Sequence, residues 1–125
     1  MNHDTAQLVA RYNAFIHEGI PQLRRLGYSP TQFLEMVRSA GDAVQATKLL
    51  LASPRHTSYG FQRLYSMGRL ADSVEFAALL PWFEPLFTPE EREEARIRLI
   101  LHEFPVEAKL RTATASPPTW VTQGV

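Results

Sequence analysis

Four short segments of this chain share one helix-opening chemistry, and each precedes apolar residues at three- and four-residue steps. Ser29-Pro30-Thr31-Gln32 sets a hydroxyl at the cap, proline at the first helical position and glutamine three residues after the cap. Thr88-Pro89-Glu90-Glu91 repeats this with glutamate. Asp42-Ala43-Val44-Gln45 and Asp72-Ser73-Val74-Glu75 keep the pattern without the proline. In each, the cap side chain satisfies an orphan backbone N–H, and the Gln or Glu reaches back to another. Alternating runs rich in β-branched residues are missing, so no strand is expected. A chain punctuated in this way folds as consecutive short helices.

The periodicity predicts helices over residues 30–40, 43–52, 59–67, 73–80 and 89–101. A first stripe, Leu8, Tyr12, Phe15, Ile16, Ile20, Leu23 and Leu26, precedes them. Gly19 and Pro21 are expected to kink it or split off a second short helix, and Gly27 to stop it. The inward faces read as Phe33, Met36, Val37 and Ala40, then Val44, Thr47, Leu50 and Leu51, then Phe61, Leu64 and Tyr65. Val74, Ala77, Leu79 and Leu80 follow, with Ile97, Ile100 and Leu101 on the last helix. Trp82, Phe83, Leu86 and Phe87 form an aromatic cluster, read as a loop or short helical turn that plugs the core. The predicted fold is all-α: a compact orthogonal bundle of five to six short helices over residues 4–103, with a flexible C-terminal tail over 104–125. The tail is assigned from its Thr, Ser, Ala and Pro content; within it, Trp120 and Val121 read either as plain tail or as the anchor of a short linear motif.

A length of 125 residues suits one domain with its own core. The absence of cysteine excludes a disulfide framework, a thiolate metal site and a cysteine nucleophile. No apolar run approaches a membrane span and no signal-peptide pattern opens the chain, so a soluble cytoplasmic protein is expected. Thirteen basic and thirteen acidic side chains cancel. The cancellation is between halves: residues 24–69 carry a net +5 and residues 70–107 a net −6. Such asymmetry reads as head-to-tail self-association, docking on a charged partner, or pairing of the halves within the fold.

Several stretches also resemble a known pattern. These are Leu26-Gly27-Tyr28-Ser29-Pro30-Thr31 with Phe33 and Met36, the run Ala46 to Pro54 (ATKLLLASP), and Gly60-Phe61-Gln62-Arg63-Leu64. Gly68-Arg69-Leu70 with Ser73-Val74-Glu75 follows, then Leu86-Phe87-Thr88 with Glu90, Glu91, Ala95, Arg96 and Leu99. In this order and spacing the chain resembles a small all-helical bacterial domain family of unknown function, from about Leu26 to Leu99. The family pattern is acidic where Ala71 stands; here the acid is at Asp72 alone. The resemblance implies a recurring helical module and carries over no catalytic residue.

The histidines His3, His17, His56 and His102 are scattered, without the i, i+4 pair of a zinc helix, so no metal site is predicted. Glu90, Glu91, Glu93 and Glu94 read as a solvated first turn favouring the helix dipole, with Glu93–Arg96 and Glu94–Arg98 at pairing distance, rather than as a carboxylate pair for hydrolysis. Potentially reactive types concentrate in the loop from Ser53 to Gly60. There Arg55 and His56 are candidates for an anion contact, while Ser58 reads as a helix cap and Tyr59 as packing. No orienting acid or nucleophile elbow accompanies the hydroxyls, so no catalytic residue and no cofactor are assigned. The turn Ala40-Gly41-Asp42 permits a helix-turn-helix that would present Gln45, Lys48 and Thr47, but a single basic residue on that helix favours a plain hairpin.

The function expected from these residues is a non-enzymatic helical protein-interaction or regulatory module of bacterial type. Its candidate interaction residues are Arg55, His56, Tyr59, Arg63, Arg69 and Trp120. Tyrosine and arginine dominate interface energetics, although Arg69 reads equally as a cap on helix-end carbonyls. A protein partner is expected, with self-association through the charged halves open and no membrane contact. A nucleic-acid binder using the basic half 24–69 is the alternative. A small-ligand binder or hydrolase using the 53–60 loop is the weaker one.

Overall fold

Helix α1 (Thr5–Arg25) runs through Gly19 and Pro21 as one element in the computed structural model, which describes residues 4–123. No second helix splits off. Pro21 removes one bond, to the His17 carbonyl, yet Ile20 and Leu23 beside it are buried and hold the last turns to the core. After it come α2 (Thr31–Ala40), α3 (Ala43–Leu51), α4 (Tyr59–Ser66), α5 (Val74–Ala77), α6 (Pro89–Leu101), α7 (Val106–Thr114) and α8 (Thr119–Gln123). Two 3-10 turns, Leu70–Asp72 and Pro81–Leu86, flank α5. Among the described residues there is no strand. His3 and residues 124–125 lie outside the described residues.

Most of the sequence-level caps form. Asp42 accepts from the Gln45 N–H at 2.8 Å, Ser58 from Phe61 at 3.0 Å, and Thr88 with Glu91 closes a full capping box. Two caps shift by one residue. Pro30, not Ser29, occupies the α2 cap without a side-chain bond, and Ser73, not Asp72, caps α5 by accepting from Phe76. The displacement at α5 has a consequence, because Glu75 no longer reaches back to the cap. It turns inward and is buried.

Helix α3 is the central element, packed against α1, α2, α5 and α6. Asn13 of α1 accepts the Ala43 N–H at 2.8 Å, giving the buried start of α3 a second cap from another helix. Tyr12 lies at the middle of the core, fully buried, with its ring edge-on to Phe83 and Phe87 at 5.1 and 5.3 Å. Thr47 donates to the Ala43 carbonyl, so the Tyr12 hydroxyl donates to Thr47 at 2.8 Å. Burial pushes the Tyr12 phenol far above its ordinary range, keeping it a neutral donor.

The central position of α3 fits the plain hairpin that the sequence favours over a helix-turn-helix. Thr47 is buried against Tyr12 and Lys48 is bound to Glu91 at 2.8 Å, so of the three residues named for a reading face Gln45 alone is exposed and unengaged by these contacts. Of the flexible tail expected over 104–125, the described part, residues 104–123, is largely helical. Its helices α7 and α8 are formed, Val106 is buried, and Trp120 packs on Phe83 at 5.9 Å. Arg11 of α1 lies 5.3 Å above the Trp120 ring. The reason is that α1 and the 81–86 turn leave an aromatic face that Trp120 covers. Composition read the polar residues between these anchors and missed the anchors' partners.

Candidate functional site

Helix α2 is strongly amphipathic, yet none of its residues is buried. Its expected inward residues Phe33 and Val37 pack against the core while only partly buried, and Phe33 and Met36 line a cavity of about 530 Å³. Opposite them stand Ile16, Ile20 and Leu23 of α1, with Phe61 and Leu64 of α4. Tyr28 follows the α1 stop, where Gly27 adopts φ +94° and Tyr28 N–H donates to the Leu23 carbonyl at 2.9 Å. That bond turns the chain back and sets the Tyr28 ring into the cavity wall. Its hydroxyl approaches Gly60 so closely that a Cβ there would stand 2.7 Å away. Burial raises the Tyr28 phenol above its ordinary range, with Tyr59 adding to this and Arg63, 5.9 Å from the ring, opposing it.

The polar lining is acidic. Glu18, Asp72 and Glu75 line the cavity, with His56 as the one basic type and neither lysine nor arginine among the lining residues. Asp72 is held by Arg69 at 2.8 Å. Glu75, from α5, is 1% exposed and reaches Arg98 of α6 only at 3.4 Å. Burial raises its carboxyl above the ordinary range, while a hydrogen bond from its own backbone N–H, Arg98 and the charge of His102 pull it back.

Behind Glu75 lies a buried ionic cluster. Arg98, also 1% exposed, donates from Nε to Glu94 at 2.8 Å and from Nη2 to the Ser53 carbonyl at 2.7 Å. Glu94 further accepts from the Arg55 backbone N–H at 2.6 Å and from its guanidinium at 2.5 Å. Arg55 sits at φ 58°, in the left-handed region, and these two bonds offset the roughly 1 kcal/mol such a backbone costs. Desolvation pushes the Glu94 carboxyl up, but hydrogen bonds from Arg98 and Arg55 and their charges outweigh it, leaving it below the usual carboxylate range.

This cluster corrects the reading of α6. The buried residues are Glu94, Ala95, Arg98 and Leu99, whereas Ile100 and Leu101 point outward at 55% and 65% exposure. Glu94 and Arg98 do pair across one turn, but inside the protein and not on a solvated face. Arg96 pairs with Glu107 of α7 rather than with Glu93.

The six candidate interaction residues separate. His56 and Tyr59 line the cavity, and Arg63, outside the lining, lies 5.9 Å from the ring of the lining residue Tyr28. Arg55 is bound to Glu94, Arg69 to Asp72 and Trp120 to the core, so these three serve contacts within the fold. Arg69 does not cap carbonyls with its guanidinium; Arg92 does, reaching Ala78 and Leu79 at 3.1 and 3.0 Å. Ser58 is engaged as the α4 cap. His102 packs edge-on against Phe61 and Tyr65 and bonds the Arg98 carbonyl through Nδ1 at 2.8 Å. Among the described residues no group of three or more His, Cys, Asp or Glu is placed to hold a metal ion. The residues that sequence reasoning missed are Glu75 and Glu18. In the sequence Glu75 reads only as the acid of a capping pattern, with nothing to mark it as buried.

No helix among the described residues is long and apolar enough to cross a membrane. No protein-family model, curated protein or solved structure matches the chain.

Proposed function

We propose that the protein is a cytoplasmic, non-enzymatic helical module that works by binding a small, largely apolar ligand, and that occupancy of the cavity regulates what the module does. The carrying observation is the cavity of about 530 Å³ beside the amphipathic helix α2, which lines it with Phe33 and Met36 and leaves none of its own residues fully buried. That volume lies within the range of small-molecule sites, and an apolar wall with few convergent polar groups is their usual composition. The weaker sequence reading, a ligand at the 53–60 loop, thus gains support: His56, Ser58, Tyr59 and Gly60 form one rim. Binding is favoured over hydrolysis because the Ser58 hydroxyl accepts from Phe61 and makes no bond to His56.

A neutral fluorescent probe, N-phenyl-naphthylamine, tests this. Its emission should rise saturably on mixing with the protein. Gly19 lines the cavity and a Cβ there meets nothing within 4 Å, so Gly19→Leu should fold, gain up to about 1 kcal/mol from helix propensity, and lose probe binding. Undiminished probe binding in that variant would remove the cavity as the site.

A protein partner is the second reading, supported by Ile100, Leu101 and Tyr65, large apolar residues left exposed on α6 and α4. Light scattering and a pull-down test it, and a strict monomer that recovers no partner counts against it. The nucleic-acid alternative loses its recognition helix, and Lys48, Arg55 and Arg69 of the basic half are each bound to an acid of the other half. The halves therefore pair at least partly within the fold.

A further inference from the structure

The lining of the cavity says more about its ligand than size alone. Taking the cavity as the binding site, we propose that it selects molecules carrying an ammonium or amidinium group on an apolar aromatic body, with the Glu75 carboxylate receiving the cation.

Charge sets the sign. Glu18, Asp72 and Glu75 line the space and no lysine or arginine does, so an anionic ligand would find acids and no lysine or arginine in the lining to bind it. Among these acids Glu75 is the one positioned to act. Glu18 is exposed, and Asp72 is engaged by Arg69 at 2.8 Å. Glu75 is 1% exposed, yet its only charged partner within ion-pair distance among the described residues is Arg98 at 3.4 Å. That arginine is held more closely elsewhere, by Glu94 at 2.8 Å and the Ser53 carbonyl at 2.7 Å. Arg55, the next cation, is also bound to Glu94. A carboxylate this deeply buried is costly unless fully paired. A ligand cation entering through the cavity supplies the closer partner that the fold withholds.

The wall suits the rest of such a molecule. Phe33 and Phe61 present aromatic surface around the space, against which cations and flat apolar groups both bind well, and Tyr28, whose ring already lies under Arg63, adds apolar edge. The volume of about 530 Å³ fits a small molecule and not a helix or strand of a partner.

Three probes with one body and different heads test the assignment on the full chain: naphthylethylamine, naphthylethanol and naphthylacetate, titrated at neutral pH. The amine should bind roughly tenfold or more tighter than the alcohol, and the acid weakest of all. Glu75→Gln, with folding checked by circular dichroism, should erase the amine's advantage over the alcohol while leaving alcohol binding in place. Equal binding of amine and alcohol to the unmodified protein overturns the cation assignment but leaves the cavity as a site. Binding of none of the three overturns both. Tightest binding of the acid overturns the charge argument. Because the comparison of heads uses the unmodified chain, it decides the matter even where Glu75→Gln fails to fold.

Discussion

The hydroxyl of Tyr28 rests where a methyl group on residue 60 would have to stand, 2.7 Å from the built position, while the ring carbon behind it is 4.0 Å away. Tyr28 is buried but borders the cavity, so its hydroxyl has to shift toward that space to admit the methyl group. Gly60→Ala should therefore destabilise the protein by about 1 kcal/mol, the low end of the usual cost of overpacking. Adding Tyr28→Phe should recover most of the loss, because it removes the one atom in the way; a double-mutant cycle from urea midpoints measures this, and strict additivity would contradict the contact. At this scale the sequence was legible wherever a residue acts on its own neighbours. Asp42, Ser58 and Thr88 cap the helices they precede, since a cap needs only three residues of chain. Asn13 and Arg92 were not legible. Their partners, Ala43 and the Ala78 and Leu79 carbonyls, lie 30, 14 and 13 residues away and are met only through folding.

Among the elements, α2 and α6 depart from their sequence patterns in opposite ways. The apolar period of α2 was read correctly, but periodicity says which face is apolar and not whether anything fills the space before it. Since no residue of α2 is buried and glycines with positive φ flank it at 27 and 41, it should be among the less protected helices. Hydrogen exchange should find amides of Thr31–Ala40 exchanging faster than those of the buried α3, and slowing when a cavity ligand is added. Protection of α2 equal to that of α3 without ligand would count against an open cavity. Helix α6 misleads in the other direction. Its aliphatic residues suggested one inward face, yet Arg98 and Glu94 take that face and Ile100 and Leu101 are exposed. A salt-bridged arginine with partners on two other segments, Glu75 and Ser53, satisfies its donors inside the protein, which no single-helix pattern reveals.

For the molecule as a whole, the ionic cluster joins α5, α6 and the 53–55 loop, and its titration links global stability to pH. The depressed Glu94 pKa contributes stability that is complete above the unfolded carboxylate value and is lost as pH falls through the lower folded value. Glu75 works oppositely: its raised pKa makes the ionised form a cost, which is relieved as pH falls through that raised value toward the unfolded one. Glu94→Gln, which leaves Arg98 and Arg55 without their main partner, should cost about 3 kcal/mol at neutral pH. The gap between variant and parent should narrow as acid protonates Glu94 in the parent, below the ordinary carboxylate range. Urea unfolding across pH measures it, and a gap that does not change with pH would mean Glu94 is not the ionised partner. Helix starts marked by local caps determined the all-α class and nearly every helix boundary from α2 to α6. Those depend on backbone donors a few residues from their acceptors, so the sequence alone carries them. Tertiary structure decided which face of α6 is inside, where Trp120 docks, and that a cavity with a buried acid remains between α1, α2 and α4. Each of these depends on shape and charge brought together from distant parts of the chain, and a periodic pattern contains neither.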